Sequence, residues 1–461
     1  MAPAREDRNL AVRLGVAVAL FLLLVGQAQV TVLDGSSMLA VARSLVHDGT
    51  LSVPPRLGVA GHDGLFYSKY GLLLPLLATV PVALVQPIGA ITGRVDLLEA
   101  AAAASLMPLI CGALAAALFA LGRRLGAPRP AAALVAVGTV LGTYVLPYGR
   151  DFFTEPLVAL GLVVMVERAL AGRELQAGAA LALAVLARPQ SAAFAPLLLG
   201  YVALRPGGSV RAAARTLSPL AVAAAITVAY NLVRFADPLQ FGYRPPADPG
   251  FTTPLLEGTA GLLFSPAKSV LLFAPAIVLV PFAAVSLWRR GRATVALVLA
   301  LFAVAWVLAA TWHSWQGGWS WGPRLVIPGV VVALALTAPW IGTHAARLKL
   351  AALLFAAGFI VSLPAVLAPA GLQQLDRGSS DGPEVVRQYE RLPELARRSA
   401  RAGRGTAART GDYRRYLALW QAGIVREFGP WGLLPALLGS VLLLAALVLV
   451  ARPLGPRLRL G

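Results

Sequence analysis

Three acids and four cations in this chain lie where a reaction at a membrane boundary could use them. Asp34 comes three residues after the apolar run 11–31. Asp151 and Glu155 fall in YGRDFFTEP at 148–156, beside Arg150 and three aromatics. Lys69 lies between Tyr67 and Tyr70, and Arg188 sits in ARPQS at 187–191. Arg324 closes the stretch 311–324, which packs four of the nine Trp into ten residues and contains His313, Trp315 and Trp319. A carboxylate can take the proton of an acceptor hydroxyl as general base. Cations can hold an anionic leaving group such as phosphate and neutralise its growing charge. Aromatic faces can stack on sugars. Group transfer from a lipid-phosphate donor uses all three.

Each residue also has a plainer reading. Asp34, followed by Gly-Ser-Ser, is good chemistry for an N-cap. Lys69 with its tyrosines suits an interfacial anchor. Glu155 before Pro156 suits the first turn of a helix, where a carboxylate favours the dipole. Trp-rich loops line membrane interfaces as well as sugar sites. The set is more specific than its members: acids, cations and aromatics all fall at one membrane boundary, where ionisable residues are functional candidates by default.

The elements that must position them are apolar helices. Of 461 residues, 58% are hydrophobic and 13% charged, and the mean hydropathy is +0.74. A soluble domain carries about 25% charged residues, so this chain uses lipid as solvent. A bilayer span needs roughly 20 mostly apolar residues. Runs that answer this lie at 11–31, 70–91, 97–121, 130–147, 155–170, 175–187, 192–204, 216–234, 269–288, 293–312, 323–340, 348–368 and 430–451. They are continuous rather than alternating, which excludes a β-barrel. The class is all-α, a polytopic membrane protein.

The net charge of +19 would suit a nucleic-acid binder, but its distribution does not. Basic clusters at 5–13, 123–129, 168–173, 205–215, 289–292, 347–349 and 452–459 hold 19 of the 40 Lys and Arg, with four acids. Placing them inside follows the positive-inside rule. Parity then requires that one of the first three runs not cross. The run 70–91, with Pro75, Pro81 and Pro87, is expected as a re-entrant or interfacial helical hairpin. About twelve spans remain, with both termini inside. Asp34 precedes an amphipathic pattern from Ser36 to Val46, which predicts a helix on the membrane surface ended by Gly49. Cys111 is the single cysteine, and the four His are scattered, so no disulfide or metal cluster is expected.

At these residues the chain resembles the GT-C class of membrane glycosyltransferases, especially the protein O-mannosyltransferase and aminoarabinose transferase branch. The resemblance covers about 10–370. Asp34 matches the acid that follows the first span in that family, although Gly35 stands where a second acid is common. Tyr67–Gly71 is similar to a Tyr…Lys-Pro segment, without the Pro. The turn 122–130 and Arg188-Pro189 also match, and Asp151 or Glu155 takes the place of the acid in the second outer loop.

The resemblance implies an extracytoplasmic active site in the plasma membrane and a polyprenyl-phosphate-sugar donor. It implies inverting displacement with Asp34 as base, aided by Asp151 or Glu155. Lys69, Arg150, Arg188 and Arg324 would hold the phosphate. Tyr67, Tyr70, His313, Trp315 and Trp319 would contact substrate. No metal or other cofactor is expected, and no nucleic acid. The acceptor would be a cell-envelope glycan, lipid or protein. The preference for Arg over Lys points to a GC-rich genome, with lipid-linked arabinose or mannose as candidate sugars. The domain reading is a catalytic module at 1–370 with its first outer loop at 32–96, a basic outer loop at 371–428, and a last span with cytoplasmic tail at 429–461. A flippase or transporter would instead place charges at mid-helix and show repeat symmetry, and an envelope assembly protein would use the acids as caps.

Overall fold

The computed structural model describes residues 2–367 except Ala28, Thr31, Pro206 and Trp319, together with Gln421 and residues 433–451. The expected basic loop at 371–428 lies outside the described residues apart from Gln421, whose amide donates to the Leu24 carbonyl at 2.8 Å. The protein is an α-helical, multi-pass membrane protein. Six of the described helical stretches are long and apolar enough to cross a bilayer.

Helix α1 (Ala2–Leu24) is followed by α2 (Leu33–His47), a two-stranded hairpin of β1 (Val59–Ala60) and β2 (Phe66–Tyr67), and α3 (Leu73–Thr92). Then come α4 (Val95–Ala104), α5 (Leu106–Arg124), α6 (Arg129–Leu141), the short α7 (Val145–Tyr148), α8 (Glu155–Leu170) and α9 (Glu174–Ala187). The second half holds α10 (Ala195–Leu204), α11 (Val210–Phe235), α12 (Leu255–Phe264), α13 (Val270–Phe273) and α14 (Val280–Thr311). It ends with α15 (Ile327–Ala335), α16 (Thr337–Ile341), α17 (Ala345–Leu367) and a helix at Leu433–Ala451 that packs on α1. Buried Leu, Val and Ala of these helices form one continuous core.

Ion pairs show which helix ends share a side. Arg123 and Arg129 meet Asp7 at 2.8 and 2.7 Å, Arg129 reaches Glu6 at 2.8 Å, and Arg124 meets Glu167 at 2.7 Å. Arg205 pairs with Glu174. Four of the basic clusters expected inside, at 5–13, 123–129, 168–173 and 205–215, thus share one end of the bundle. A 37-residue helical stretch, Pro275–Thr311, would reach about 55 Å if straight, nearly twice the hydrocarbon core. The backbone of Gly291 leaves the helical region and divides it, between Arg290 and Arg292. That break falls between the two runs expected at 269–288 and 293–312.

Two expectations need correction. The run 70–91 forms no hairpin of its own. Pro81 and Pro87 lie inside one uninterrupted helix, α3. With no glycine between Leu72 and Ile88, nothing in the run supplies a tight turn. The chain instead turns at Gly93, which takes the left-handed φ of 66° suited to glycine, and α4 packs back along α3. Leu76, Val80, Leu84, Ile88 and Ile91 form an exposed apolar stripe along α3, at the spacing of one helix face. The second correction concerns Asp34, which is not an N-cap. Val32 holds that position, and Asp34 lies within the first turn of α2. The far end of α2 is tied down by buried Glu99 of α4, which pairs with Arg43 and His47, both at 2.6 Å, and accepts from Gln86 of α3 at 2.7 Å.

Candidate active site

The first turn of α2, the start of α8, the end of α9 and the turn before α15 converge at one point. Arg324 donates from Nη1 to Asp34 Oδ2 at 2.7 Å. Its Nε lies 3.9 Å from Glu155 Oε1. Arg188, at the end of α9, donates to the same Glu155 oxygen at 2.6 Å. The Tyr70 phenol lies beside Asp34. The order is Tyr70, Asp34, Arg324, Glu155, Arg188, with alternating charge along the last four.

Local sequence explains the convergence. Pro156 suits the first turn of α8 and leaves Glu155 at the helix start. Gly71 lets the segment after Tyr70 press on the end of α9: a Cβ there would fall 2.3 Å from the Ala187 carbonyl oxygen. That contact brings Tyr70 and Arg188 to the same place.

Burial sharpens the charges. Burial alone would raise the Asp34 carboxyl. The Arg324 charge, the Tyr70 phenol, the hydrogen bond from Arg324, and the Arg188 charge outweigh it and hold Asp34 below the usual carboxylate range. Burial and then the nearby Asp34 charge push the Tyr70 hydroxyl well above its ordinary value. Asp34 is therefore ionised and Tyr70 neutral at physiological pH. Glu155 is 2% exposed. Its Oε2 is buried and has no hydrogen-bond partner among the described residues. An unmatched buried carboxylate oxygen is costly, and here it is an open acceptor beside two cations.

A second cluster adjoins the first. Lys69 donates to Asp248 at 2.8 Å and lies 4.9 Å from the centre of the Tyr243 ring. His313 Nε2 is 3.6 Å from Asp248, and its backbone N–H donates to the Gly250 carbonyl at 2.8 Å. Tyr243 feels the charges of Arg188, Asp34 and Arg324, so it stands between the clusters. A narrow cleft lies beside them, lined by Lys69, Tyr70, Pro189, Ile226, Tyr230 and Phe241.

Other expected site residues lie elsewhere. Arg150 donates to the Val25 and Ala365 carbonyls, at 2.5 and 3.1 Å, and so ties the ends of α1 and α17. Asp151 accepts from the Phe152 N–H at 2.8 Å. Both line a second cleft with Tyr148, Phe153 and Trp321. Tyr67 donates to Asp63 at 2.6 Å and packs edge-on to Phe235. Burial, with the Asp63 hydrogen bond, pushes its hydroxyl up to about 12. Trp315 is buried against Gly261, where a Cβ would overlap the indole. Trp319 lies outside the described residues. No group of three or more His, Cys, Asp or Glu among the described residues is placed to hold a metal ion.

Sequence reasoning missed Tyr243 and Asp248. Their one signal was an aromatic-rich loop after a basic helix end. It also left Arg234 unexplained. Arg234 is buried, donates to Asn231 Oδ1 at 2.6 Å and to the Ser68 carbonyl, and stacks 3.6 Å from the centre of the Tyr230 ring. It fixes the segment that carries Lys69 and Tyr70.

No family model matches the chain, and no curated protein matches it in sequence. Solved structures do match in fold. ArnT from Cupriavidus metallidurans bound to undecaprenyl phosphate superposes with a TM-score of 0.53 at 14% identity, over 95% of this chain and 79% of that one. The same protein in the apo state gives 0.53 at 12% identity, over 96% and 77%. The apo oligosaccharyltransferase of Archaeoglobus fulgidus gives 0.46 at 13% identity, over 92% and 58%. The chain has the fold of a GT-C membrane glycosyltransferase.

Proposed function

We propose that this chain transfers a sugar from a polyprenyl-phosphate-sugar donor to an extracytoplasmic acceptor of the cell envelope, with inversion at the anomeric carbon. The observation that carries this reading is the ionised Asp34, held between Arg324 and Tyr70 beside a narrow cleft, in a GT-C fold. About twelve spans and an outward-facing site in the plasma membrane belong to the same reading.

Asp34 takes the proton of the acceptor hydroxyl. The hydroxyl oxygen attacks the anomeric carbon from the face opposite the phosphate. The bond from that carbon to the phosphate oxygen breaks, and polyprenyl phosphate leaves with the electron pair. Arg324 and Arg188 stabilise the charge that gathers on it, and Lys69 binds it from the second cluster. A phosphate that recruits Arg324 also loosens its grip on Asp34. The carboxylate then becomes a stronger base when the donor is in place. Glu155, with one oxygen open, accepts from a donor-sugar hydroxyl. The apolar stripe of α3 and the cleft by Ile226 and Phe241 face the prenyl chain.

The test is transfer in proteoliposomes supplied with polyprenyl-phosphate-linked sugars and envelope acceptors. Wild-type chain should form a glycosylated product. Asp34→Asn should fold normally and lose about 10²–10⁴-fold in rate. Unchanged transfer in that variant removes Asp34 as base. Lipid movement without any glycosylated product favours a flippase.

A further inference from the structure

Lys268 is fully buried, although it sits between α12 and α13 at the level of the outer loops. An ammonium taken from water needs oxygen acceptors to replace it. Lys268 finds them on one short stretch of chain. Its Nζ donates to the Gly318 carbonyl at 3.1 Å and to the Ser320 carbonyl, with the Ser320 hydroxyl at 3.4 Å.

The stretch it grips ends at Arg324. Gly317, Gly318 and Gly322 take left-handed φ values of 71°, 67° and 63°, a conformation that other residues rarely adopt. They bend the loop so that the Gly318 and Ser320 carbonyls both reach the ammonium. The Ser320 hydroxyl donates to the Gly317 carbonyl at 3.0 Å, and Tyr148 donates to the Trp321 carbonyl at 2.7 Å. Gly317 also touches the arginine directly: a Cβ there would fall 2.8 Å from Arg324 Cγ. The loop is therefore fixed at its middle by Lys268 and presses on the Arg324 stem at its end.

We propose that Lys268 is a positioning residue: by gripping the Gly318 and Ser320 carbonyls it sets the Arg324 guanidinium against Asp34 and Glu155. This rests on the reading of Asp34 as the working carboxylate. The contacts of Lys268 to the Gly318 and Ser320 carbonyls link it to Arg324 through the loop. Asp34 is faced by Arg324 from the turn before α15, Tyr70 from the segment before α3, Arg188 from the end of α9 and Tyr243 from the loop after α11. Glu155 lies beyond Arg324. Of these, Lys268 governs Arg324.

The full chain in detergent can be treated with a carbodiimide across a pH series, and modification of Asp34 read by mass spectrometry. Arg324→Gln should move the midpoint up by about 1–3 pH units. Lys268→Met should move it in the same direction by at least about one unit. A wild-type midpoint in a Lys268→Met protein that elutes as folded overturns the proposal. Should that variant not fold, Gly318→Ala answers the same question. Its Cβ meets no atom, but its backbone strain displaces the carbonyl that Lys268 grips. It too should raise the midpoint, and a wild-type value overturns the proposal.

In the transfer assay, kcat of Lys268→Met should fall about 10- to 100-fold, with the acid limb shifted up and the donor KM near wild type. A role in general stability would instead lower the yield of active protein and leave the limb in place. The labelling shift needs no sugar transfer. Absence of transfer in the wild type would therefore sink the glycosyltransferase reading, and the shift would still support the link from Lys268 to Arg324.

Discussion

Arginine–carboxylate pairs occur at both ends of the bundle, and the two sets are built differently. At the end proposed to face inward, Arg123 and Arg129 share Asp7, while Arg124 and Arg168 share Glu167. Several partners there are open to solvent: Glu6 is 47% exposed and Arg124 40%. At the end proposed to face outward, Glu155 is 2% exposed and Arg324 14%. Glu155 still has an oxygen without a partner among the described residues. The inner pairs staple helix ends. Exposed pairs of that kind contribute about 0–1 kcal/mol. The outer set has the burial and the open acceptor of a group awaiting a ligand.

Three substitutions test that difference. The largest effect is expected at Glu155→Ala, which leaves Arg188 and Arg324 facing each other in a buried site. Breaking a buried pair costs about 3–5 kcal/mol, so thermal unfolding in detergent should show a marked loss, with Glu155→Gln milder. A wild-type transition for Glu155→Ala would place the outer set with the inner one.

Next comes Arg324→Gln, read by the pH dependence of transfer. Asp34 is held below its ordinary value chiefly against burial by the Arg324 charge. Removing that charge raises the carboxyl, so activity should fail at a higher pH on the acid side, by about 1–3 units. An acid limb that stays in place would detach Asp34 from Arg324 in the working enzyme.

The smallest effect is expected at the inner end. Asp7→Asn should change stability by about 1 kcal/mol or less and leave kcat unaltered. A large loss of transfer there would show that the two ends are not separate in role.

Much of the outer set was legible in sequence. Asp34, Glu155, Arg188 and Arg324 are ionisable residues at the ends of apolar runs, where lipid tolerates them only for a reason. Their types and places sufficed to group them. Asp151 and Glu155 could not be told apart, because they are four residues from each other and the chain between α7 and α8 decides which one meets Arg188. Lys69 was read as a phosphate ligand without its partner, since Asp248 is 179 positions away. Arg150 was grouped with the phosphate ligands, yet like Arg234 and Lys268 it holds backbone carbonyls. Residue type gives charge, but only the fold says whether an acceptor is already at hand. The prolines of α3 misled for a related reason. A proline removes one donor, and a single missing bond does not reverse a chain that lacks a turn residue.

Lys69 and Tyr70 are consecutive, yet one serves Asp248 and the other Asp34. Arg234 pins Ser68 just before them, and Gly71 is wedged on α9 just after. Chain length between Ser68 and Gly71 is thus fixed by these two contacts. One residue added or removed there would hand the ammonium to the wrong cluster and misplace the phenol, with every side chain still present. In redesign, substitutions can explore this stretch, but insertions belong around Gly49, where an added Cβ meets no atom and neither pin is disturbed.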